Sequence, residues 1–227
     1  MIDTLLFDLD NTLLDFDKAE ANAITRALGD VGISVTNEMR DCYHKINLAQ
    51  WKLLEQGKMT REEVKMRRFK LLFQEFDIKA SPQEVAKHYQ DYLGQGHYFI
   101  EGAEEVLQEL SKRFRIYLVT NGTLSVQRGR LKSSGIEKYL QGVFISEEIG
   151  YNKPSKEYFE KCFSKIPDFK KENTAIIGDS LSSDIQGGIN AGIKTIWFHR
   201  AQDLTEDPQP KPDYEINSLK SLLKMLK

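Results

Sequence analysis

The sequence predicts an α/β fold, a doubly wound parallel sheet with an inserted helical bundle, and three observations carry that prediction. Short unbroken apolar runs recur at residues 4–8 (TLLFD), Ile116–Val119, Val143–Ile145, Ala175–Ile177 and Thr195–Phe198, as in strands covered on both faces. Amphipathic segments at 102–113, 123–134, 155–166 and 181–191 separate the later runs, each long enough for a crossover helix. Residues 17–95 hold no strand-like run and show helical periodicity throughout. Strands alternating with helices imply βαβ units and a parallel sheet.

The elements follow in order. The first strand occupies residues 4–8, and the insertion begins directly after it. Helix-start signals stand at Asp17, at Thr36, at Thr60 (TREE) and at Ser81 before Pro82. Met39, Cys42, Ile46, Ala49 and Leu53 step by three and four, as do Met66, Phe69, Phe73 and Phe76, which predicts the inward faces of two of four bundled helices. An insertion at that point projects from the C-terminal end of the first strand, where open parallel sheets bind ligands. Residues 17–95 therefore read as a lid, and residues 1–16 with 96–227 as the α/β core. Residues 201–213, which hold three of the six prolines, read as a linker before a last helix at 217–226.

Composition bounds the partners. Among 227 residues, 32 Lys and Arg face 34 Asp and Glu, a net charge of −2, which argues against a nucleic-acid binder and against a basic membrane-surface protein. Mean hydropathy is −0.48 and no apolar run approaches the length of a membrane span. The opening MIDTLLFD lacks a basic leader and reads as a buried strand, not a signal peptide. Cys42 and Cys162 have no metal-ligand spacing and read as separate thiols of a reducing compartment, which points to the cytoplasm. The length suffices to bury a core without disulfides or a structural metal. Monomer and homodimer both remain open.

Four signals carry chemistry, each at the end of a predicted strand. Asp8 and Asp10 stand two residues apart after the first, so both face one crevice. Like charges about 4 Å apart cost roughly 4 kcal/mol at an effective dielectric near 20, more than strand capping explains. Thr120-Asn121-Gly122 follows the second strand and offers a hydroxyl and amides to phosphate oxygens, although TNG is also a good turn. Lys153-Pro154 lies before the 155–166 helix, where a lysine can aim at the same crevice or simply be solvated. Gly178-Asp179-Ser180-Leu181-Ser182-Ser183-Asp184 adds two carboxylates, the ligand type hard Mg²⁺ prefers, or else helix caps.

In combination and in this order, DLDNT (8–12), TNG (120–122), NKP (152–154) and GDSLSSD (178–184) resemble the haloacid dehalogenase (HAD) superfamily over essentially the whole chain. The longer stretches LLDFDKAEANAI (13–24), TNGTLSVQRGRLKSSGI (120–136) and ISEEIGYNKP (145–154) resemble its pyrimidine 5′-nucleotidases of the YjjG/YfnB type. The resemblance implies a HAD-like Rossmannoid core with a helical cap. It implies that Asp8 is the nucleophile, forming an aspartyl-phosphate, and that Asp10 is the general acid and base. It further implies phosphate contacts from Thr120, Asn121 and Lys153, and Mg²⁺ on Asp8, the Asp10 carbonyl and Asp179, with Asp184 direct or through water. Dehalogenase members lack an acid at the second position, so Asp10 favours phosphoryl transfer. Asn11 stands where Asp or Gly is frequent.

The implied partner is a small phosphorylated substrate, a pyrimidine nucleoside monophosphate first. A sugar-phosphate or phosphoglycolate phosphatase, a mutase, a receiver-type phospho-switch and an inactive binding module are the alternatives. Within the lid, Phe69, Phe73 and Phe76 read as bundle core, and Arg67 and Arg68 as solvated. His44, His88, His97 and His199 show no ligand spacing and receive no role.

Overall fold

Thr4, Leu5, Leu6 and Phe7 form the first strand, β1 (Thr4–Phe7), and all four are buried. Leu5 and Phe7 enter the core on one face of the sheet and Leu6 on the other, as period-2 alternation demands of a strand covered on both sides. The computed structural model describes residues 2–200 and 208–226. Its sheet also contains β2 (Arg115–Thr120), β3 (Gly142–Ile145), β4 (Thr174–Gly178), β5 (Lys194–Phe198) and β6 (Tyr214–Ile216). The order is β3-β2-β1-β4-β5-β6, and every pairing is parallel. β6 was not expected: it is three residues long, with two of them exposed, too short and too polar to register as an apolar run.

Four helices intervene between β1 and β2: α1 (Phe16–Gly29), α2 (Asn37–Glu55), α3 (Arg61–Glu75) and α4 (Pro82–Leu93). Three of the expected caps hold. Thr36 accepts from Met39 N, Thr60 forms a capping box with Glu63, and Ser81 accepts from Glu84 N ahead of Pro82. The first does not. Asp15, two residues before the expected Asp17, caps α1 by accepting from Lys18 N at 2.9 Å. These helices share a core of Ala23, Leu28, Tyr43, Phe69, Phe73 and Tyr89, with Phe76 packed against it. In α2 the buried face differs from expectation. It carries Met39, Tyr43, Asn47, Gln50 and Leu54, whereas Ala49 is exposed, because two amides face inward where an apolar count sees only surface.

The remaining helices are α5 (Ala103–Leu110), α6 (Leu124–Ser134), α7 (Ser146–Ile149), α8 (Lys156–Phe163), α9 (Gln186–Ala191) and α10 (Leu222–Met225). The predicted 181–191 helix is divided. Leu181–Ile185 winds as a wider π-type turn capped by Ser180, and α9 begins only at Gln186. The last helix is also shorter than predicted, a 3₁₀ turn at Leu219–Ser221 running into α10. Residues 201–207 of the expected linker lie outside the described residues. Among the described residues no helix is long and apolar enough to cross a membrane. Cys42 and Cys162 are free thiols.

The chain runs outward from β1 through β2 to β3, then returns to the other side of β1 with β4. That reversal opens a crevice between the C-terminal ends of β1 and β4, the position where doubly wound sheets bind ligands.

Candidate active site

Asp8 stands at the head of that crevice. Its N–H donates to the Ile177 carbonyl at 2.9 Å, so pairing with β4 continues one residue beyond β1 and fixes the side chain. The chain then turns sharply. Leu13 and Leu14 both donate backbone N–H groups to the Leu9 carbonyl, at 3.0 and 2.9 Å. Asn11 adopts a left-handed φ of 59°, a conformation asparagine tolerates better than most residues. Its Oδ1 accepts from Phe16 N at 2.9 Å and its Nδ2 donates to Asp17 at 2.9 Å, which locks the entry into α1.

The ends of β2 and β4 supply the other groups. Thr120 closes β2, buried, and its hydroxyl accepts from Gln127 Nε2 at 2.8 Å. Lys153 reaches in from the loop before α8 and is 1% exposed, so it is no solvated loop lysine. Its Nζ donates to Asp8 Oδ1 at 2.6 Å, Asp184 Oδ1 at 2.6 Å and the Val119 carbonyl at 2.9 Å, which accounts for all three ammonium protons. Pro154 does not itself start α8; Ser155 is the cap, accepting from Tyr158 N. Asp179 follows β4. Its N–H donates to Thr12 Oγ1 at 3.1 Å, and its carbonyl accepts from Trp197 Nε1 at 2.7 Å. Asp184 sits in the π-type turn, its Oδ2 accepting from Ser180 N at 3.1 Å. Gly178 leaves the room this needs: a Cβ there would lie 2.2 Å from Asp184 Cγ.

Each acid of the first motif has its own cation. Asp8 pairs with Lys153, and Asp10 with the fully buried Arg130 of α6, while Gln127 Nε2 donates to Asp10 Oδ2 at 2.7 Å. Counting Asp8, Asp10, Asp179 and Asp184 against Lys153 and Arg130, the cluster holds two more negative charges than positive ones. The electrostatics follow that imbalance. Burial, together with Asp184 and Asp10, pushes the Asp8 carboxyl up to about 7 against the opposing pull of Lys153. Burial and the neighbouring Asp8 and Asp184 raise Asp179 well above the usual carboxylate range. Lys153 is raised too: its two carboxylate partners outweigh the burial that opposes its charge. Oxygens of Asp8, Asp179 and Asp184 lie within 4.8 Å of one another, an all-oxygen donor set of hard ligands. These residues fit a divalent cation, whose charge equals the excess.

The site opens into a cavity of about 280 Å³ that extends from Asp8, Thr120 and Lys153 to residues of the inserted helices. All seven residues singled out in the four sequence motifs meet there or directly behind it: Asp8, Asp10, Thr120, Asn121, Lys153 and Asp179 line the cavity, and Asp184 stands behind Lys153.

A family model described as haloacid dehalogenase-like hydrolase matches residues 5–198. The chain belongs to that family. Pyrimidine 5′-nucleotidases are among its relatives, and it is an enzyme of the phosphatase kind. PynA of Streptococcus pneumoniae, a pyrimidine 5′-nucleotidase, is 43% identical over 98% of this chain and 94% of its own. The pyrimidine 5′-nucleotidase YjjG of Escherichia coli is 27% identical over 99% and 97%. The HAD hydrolase YfnB of Bacillus subtilis is 42% identical in sequence over 98% and 94%. Its crystal structure, bound to magnesium and described as revealing interdomain movement, superposes with a TM-score of 0.94 over 100% of this chain and 99% of that one.

Several residues around this cluster and cavity were missed by sequence reasoning. Gln127 and Arg130 lie seven and ten residues after Thr120, one and two helical turns into α6 on one face, which is the signal that placed them within reach of Asp10. Arg68, expected to be solvated, is buried and lines the cavity, whereas Arg67 is exposed as expected. His44, given no role, also lines it, and its Nδ1 lies 2.7 Å from Glu20. No spacing rule reveals either; only the packing of α2 and α3 onto α1 does.

Proposed function

We propose that this enzyme is a Mg²⁺-dependent phosphomonoester hydrolase acting through an aspartyl-phosphate on Asp8, with pyrimidine nucleoside 5′-monophosphates as its substrates. The contact of a buried carboxylate, Asp8, with a buried ammonium, Lys153, at the closed end of a cavity carries the reading. Such a pair presents an oriented oxygen nucleophile and a positive charge to an arriving phosphoryl group.

Asp8 attacks phosphorus through a carboxylate oxygen as the bond to the leaving oxygen breaks. Asp10 gives that oxygen its proton. In the second half-reaction Asp10, now a carboxylate, takes a proton from the water that attacks the aspartyl-phosphate, and Asp8 leaves as carboxylate. Arg130 and Gln127 hold the Asp10 side chain in place. Thr120 and the Asn121 N–H donate to phosphoryl oxygens, and Lys153 opposes the charge that builds there. Asp8, the Asp10 carbonyl and Asp179 would hold Mg²⁺, with Asp184 behind them; bound there, the ion neutralises charge between carboxylate and phosphate. Residues 17–95 act as the cap over this site, and the core is formed by 1–16 with 96–227. PynA and YjjG support the pyrimidine assignment, since both are named for that activity.

Phosphate release from a panel of nucleotides, sugar phosphates and phosphoglycolate, with Mg²⁺ and again with EDTA, tests the reading. Uridine and thymidine monophosphates are expected to lead, EDTA to stop release, and Asp8→Asn to abolish it in a folded protein. Full activity in Asp8→Asn would sink the mechanism, and preference for a sugar phosphate would overturn the substrate.

A further inference from the structure

Arg68 is 3% exposed and its charge has no carboxylate of its own. No ion pair to it occurs among the described residues. One nitrogen, Nη1, donates to Asn47 Oδ1 at 2.9 Å, and Nε has no partner. The guanidinium carbon lies 4.7 Å from the ring centre of Tyr89 and 5.1 Å from that of Phe69, so aromatic faces cradle it. A buried cation with five N–H groups that satisfies one of them is incomplete. It also lines the cavity that ends at Asp8 and Lys153.

The surroundings show that this incompleteness is held in place. Glu20 of α1 is buried and accepts from Asn47 Nδ2 at 2.6 Å and from His44 Nδ1 at 2.7 Å. With its Nδ2 committed to a carboxylate, Asn47 can only turn its oxygen to Arg68, so Glu20 sets the amide orientation and Asn47 sets the guanidinium. A neutral amide, Asn47, is hydrogen-bonded to both Glu20 and Arg68 and stands between them. Three helices thus converge on one guanidinium and leave its remaining donors for something else. Trp51 adds a flat apolar wall to the same cavity.

We propose that Arg68 is the leaving-group anchor of this cavity, donating to an acceptor oxygen on an sp² carbon of the substrate. The proposal rests on the reading of Asp8 and Lys153 as the phosphate end, and it adds which residue selects what lies beyond the phosphate. A guanidinium fork matches paired or planar acceptors. Two leaving groups carry that chemistry: a pyrimidine base, through its ring carbonyls, and an acidic sugar, through its carboxylate. The pyrimidine is the one the proposed function supplies.

The test measures kcat/KM for wild type, Arg68→Gln and Arg68→Lys, in folded protein checked by thermal unfolding. The substrates are uridine 5′-monophosphate, a carboxylate-bearing sugar phosphate, and phenyl phosphate, whose leaving group offers no carbonyl or carboxylate. In Arg68→Gln the ratio of the uridine substrate to phenyl phosphate is expected to fall by roughly ten- to a hundredfold, the loss of one charge-assisted hydrogen bond. Arg68→Lys keeps the buried charge and the stem but not the fork, so it recovers part of the ratio. It carries the same test should Arg68→Gln unfold. An unchanged ratio, or an equal loss on both substrates, overturns the anchor while leaving a nucleotidase intact. A ratio that shifts for the acidic sugar phosphate in an enzyme inactive on nucleotides upholds the anchor and overturns the nucleotidase reading.

Discussion

The side-chain amide of Asn121 closes on the backbone of Lys153: its Nδ2 donates to the Lys153 carbonyl at 2.9 Å, and its Oδ1 accepts the Lys153 N–H at 2.8 Å. The turn after β2 thereby holds the loop that carries the lysine, and the two motifs form one unit. Each such hydrogen bond contributes about 0.5–1.5 kcal/mol. Asn121→Ala removes both without touching Asp8 or Lys153. The expected outcome is a fall in kcat of about ten- to a hundredfold, because the ammonium loses its alignment. Steady-state kinetics beside a thermal melt check it; a variant with wild-type kcat would show that the loop holds its shape unaided.

The charge excess around Asp8 predicts how the protein answers to metal. Three carboxylates within 4.8 Å, those of Asp8 and Asp184 buried and that of Asp179 partly so, repel one another until a cation joins them. Mg²⁺ at a hundred times its dissociation constant is expected to add about 2.7 kcal/mol to stability, or roughly 5–10 °C in unfolding temperature for a chain of this size. Asp179→Asn removes one repelling charge and one ligand. It should therefore melt higher than wild type in EDTA and gain little from Mg²⁺. Calorimetry with and without Mg²⁺ reads both, and a wild-type response in the variant would remove Asp179 from the ligand set.

The α/β core was legible because its signals are local. An apolar run such as TAII reads as a buried strand, and an acid after it stands at the crevice end of that strand. Lys153 shows where local signals stop. Nothing in NKP distinguishes an exposed lysine from one buried between Asp8 and Asp184; the sheet order decides that. Arg68 and Asn47 were harder still. They bond to each other across 21 residues of sequence and from different helices, so polarity alone marks them as surface. Arg130 sits between these cases, since α6 places it one turn beyond Gln127 on the same face, yet its target Asp10 is distant in sequence.

Arg61, the first residue of α3, ties the inserted helices to the core. Its Nη1 donates to the Asn121 and Gly122 carbonyls at 3.0 Å each, and its Nη2 to Ser146 Oγ at 2.7 Å and Asn152 Oδ1 at 2.6 Å. Two of these acceptors lie in the turn after β2, Ser146 opens α7 directly after β3, and Asn152 lies in the loop between α7 and α8. Lys65, one turn on, pairs with Glu147 at 3.0 Å. Arg61→Ala is expected to raise KM by about tenfold, equivalent to roughly 1.4 kcal/mol of held contact, and to speed amide exchange across 120–123. Lysine cannot replace it, because one ammonium cannot span four acceptors. Exchange mass spectrometry of wild type and variant decides; identical protection would show that the latch carries no load.

His44 makes one end of the inserted helices sensitive to pH. The Glu20 carboxylate beside its Nδ1 holds the imidazole above its ordinary value, helped by Asp17 and Asp41 and opposed by partial burial. A folded-state value raised above the unfolded one means that protonated His44 favours the fold. That contribution is complete below the ordinary histidine value near 6.5 and is lost as pH rises through the higher folded value. The side chain is 45% exposed, so solvent screens the pair, and the effect belongs in the range of about 0–1 kcal/mol for exposed ion pairs. Unfolding temperature should therefore drop between pH 6 and pH 8.5 by up to about 2–4 °C more in wild type than in His44→Gln. Parallel curves for the two proteins would mean that Glu20 is held by Asn47 alone, with the imidazole a spectator.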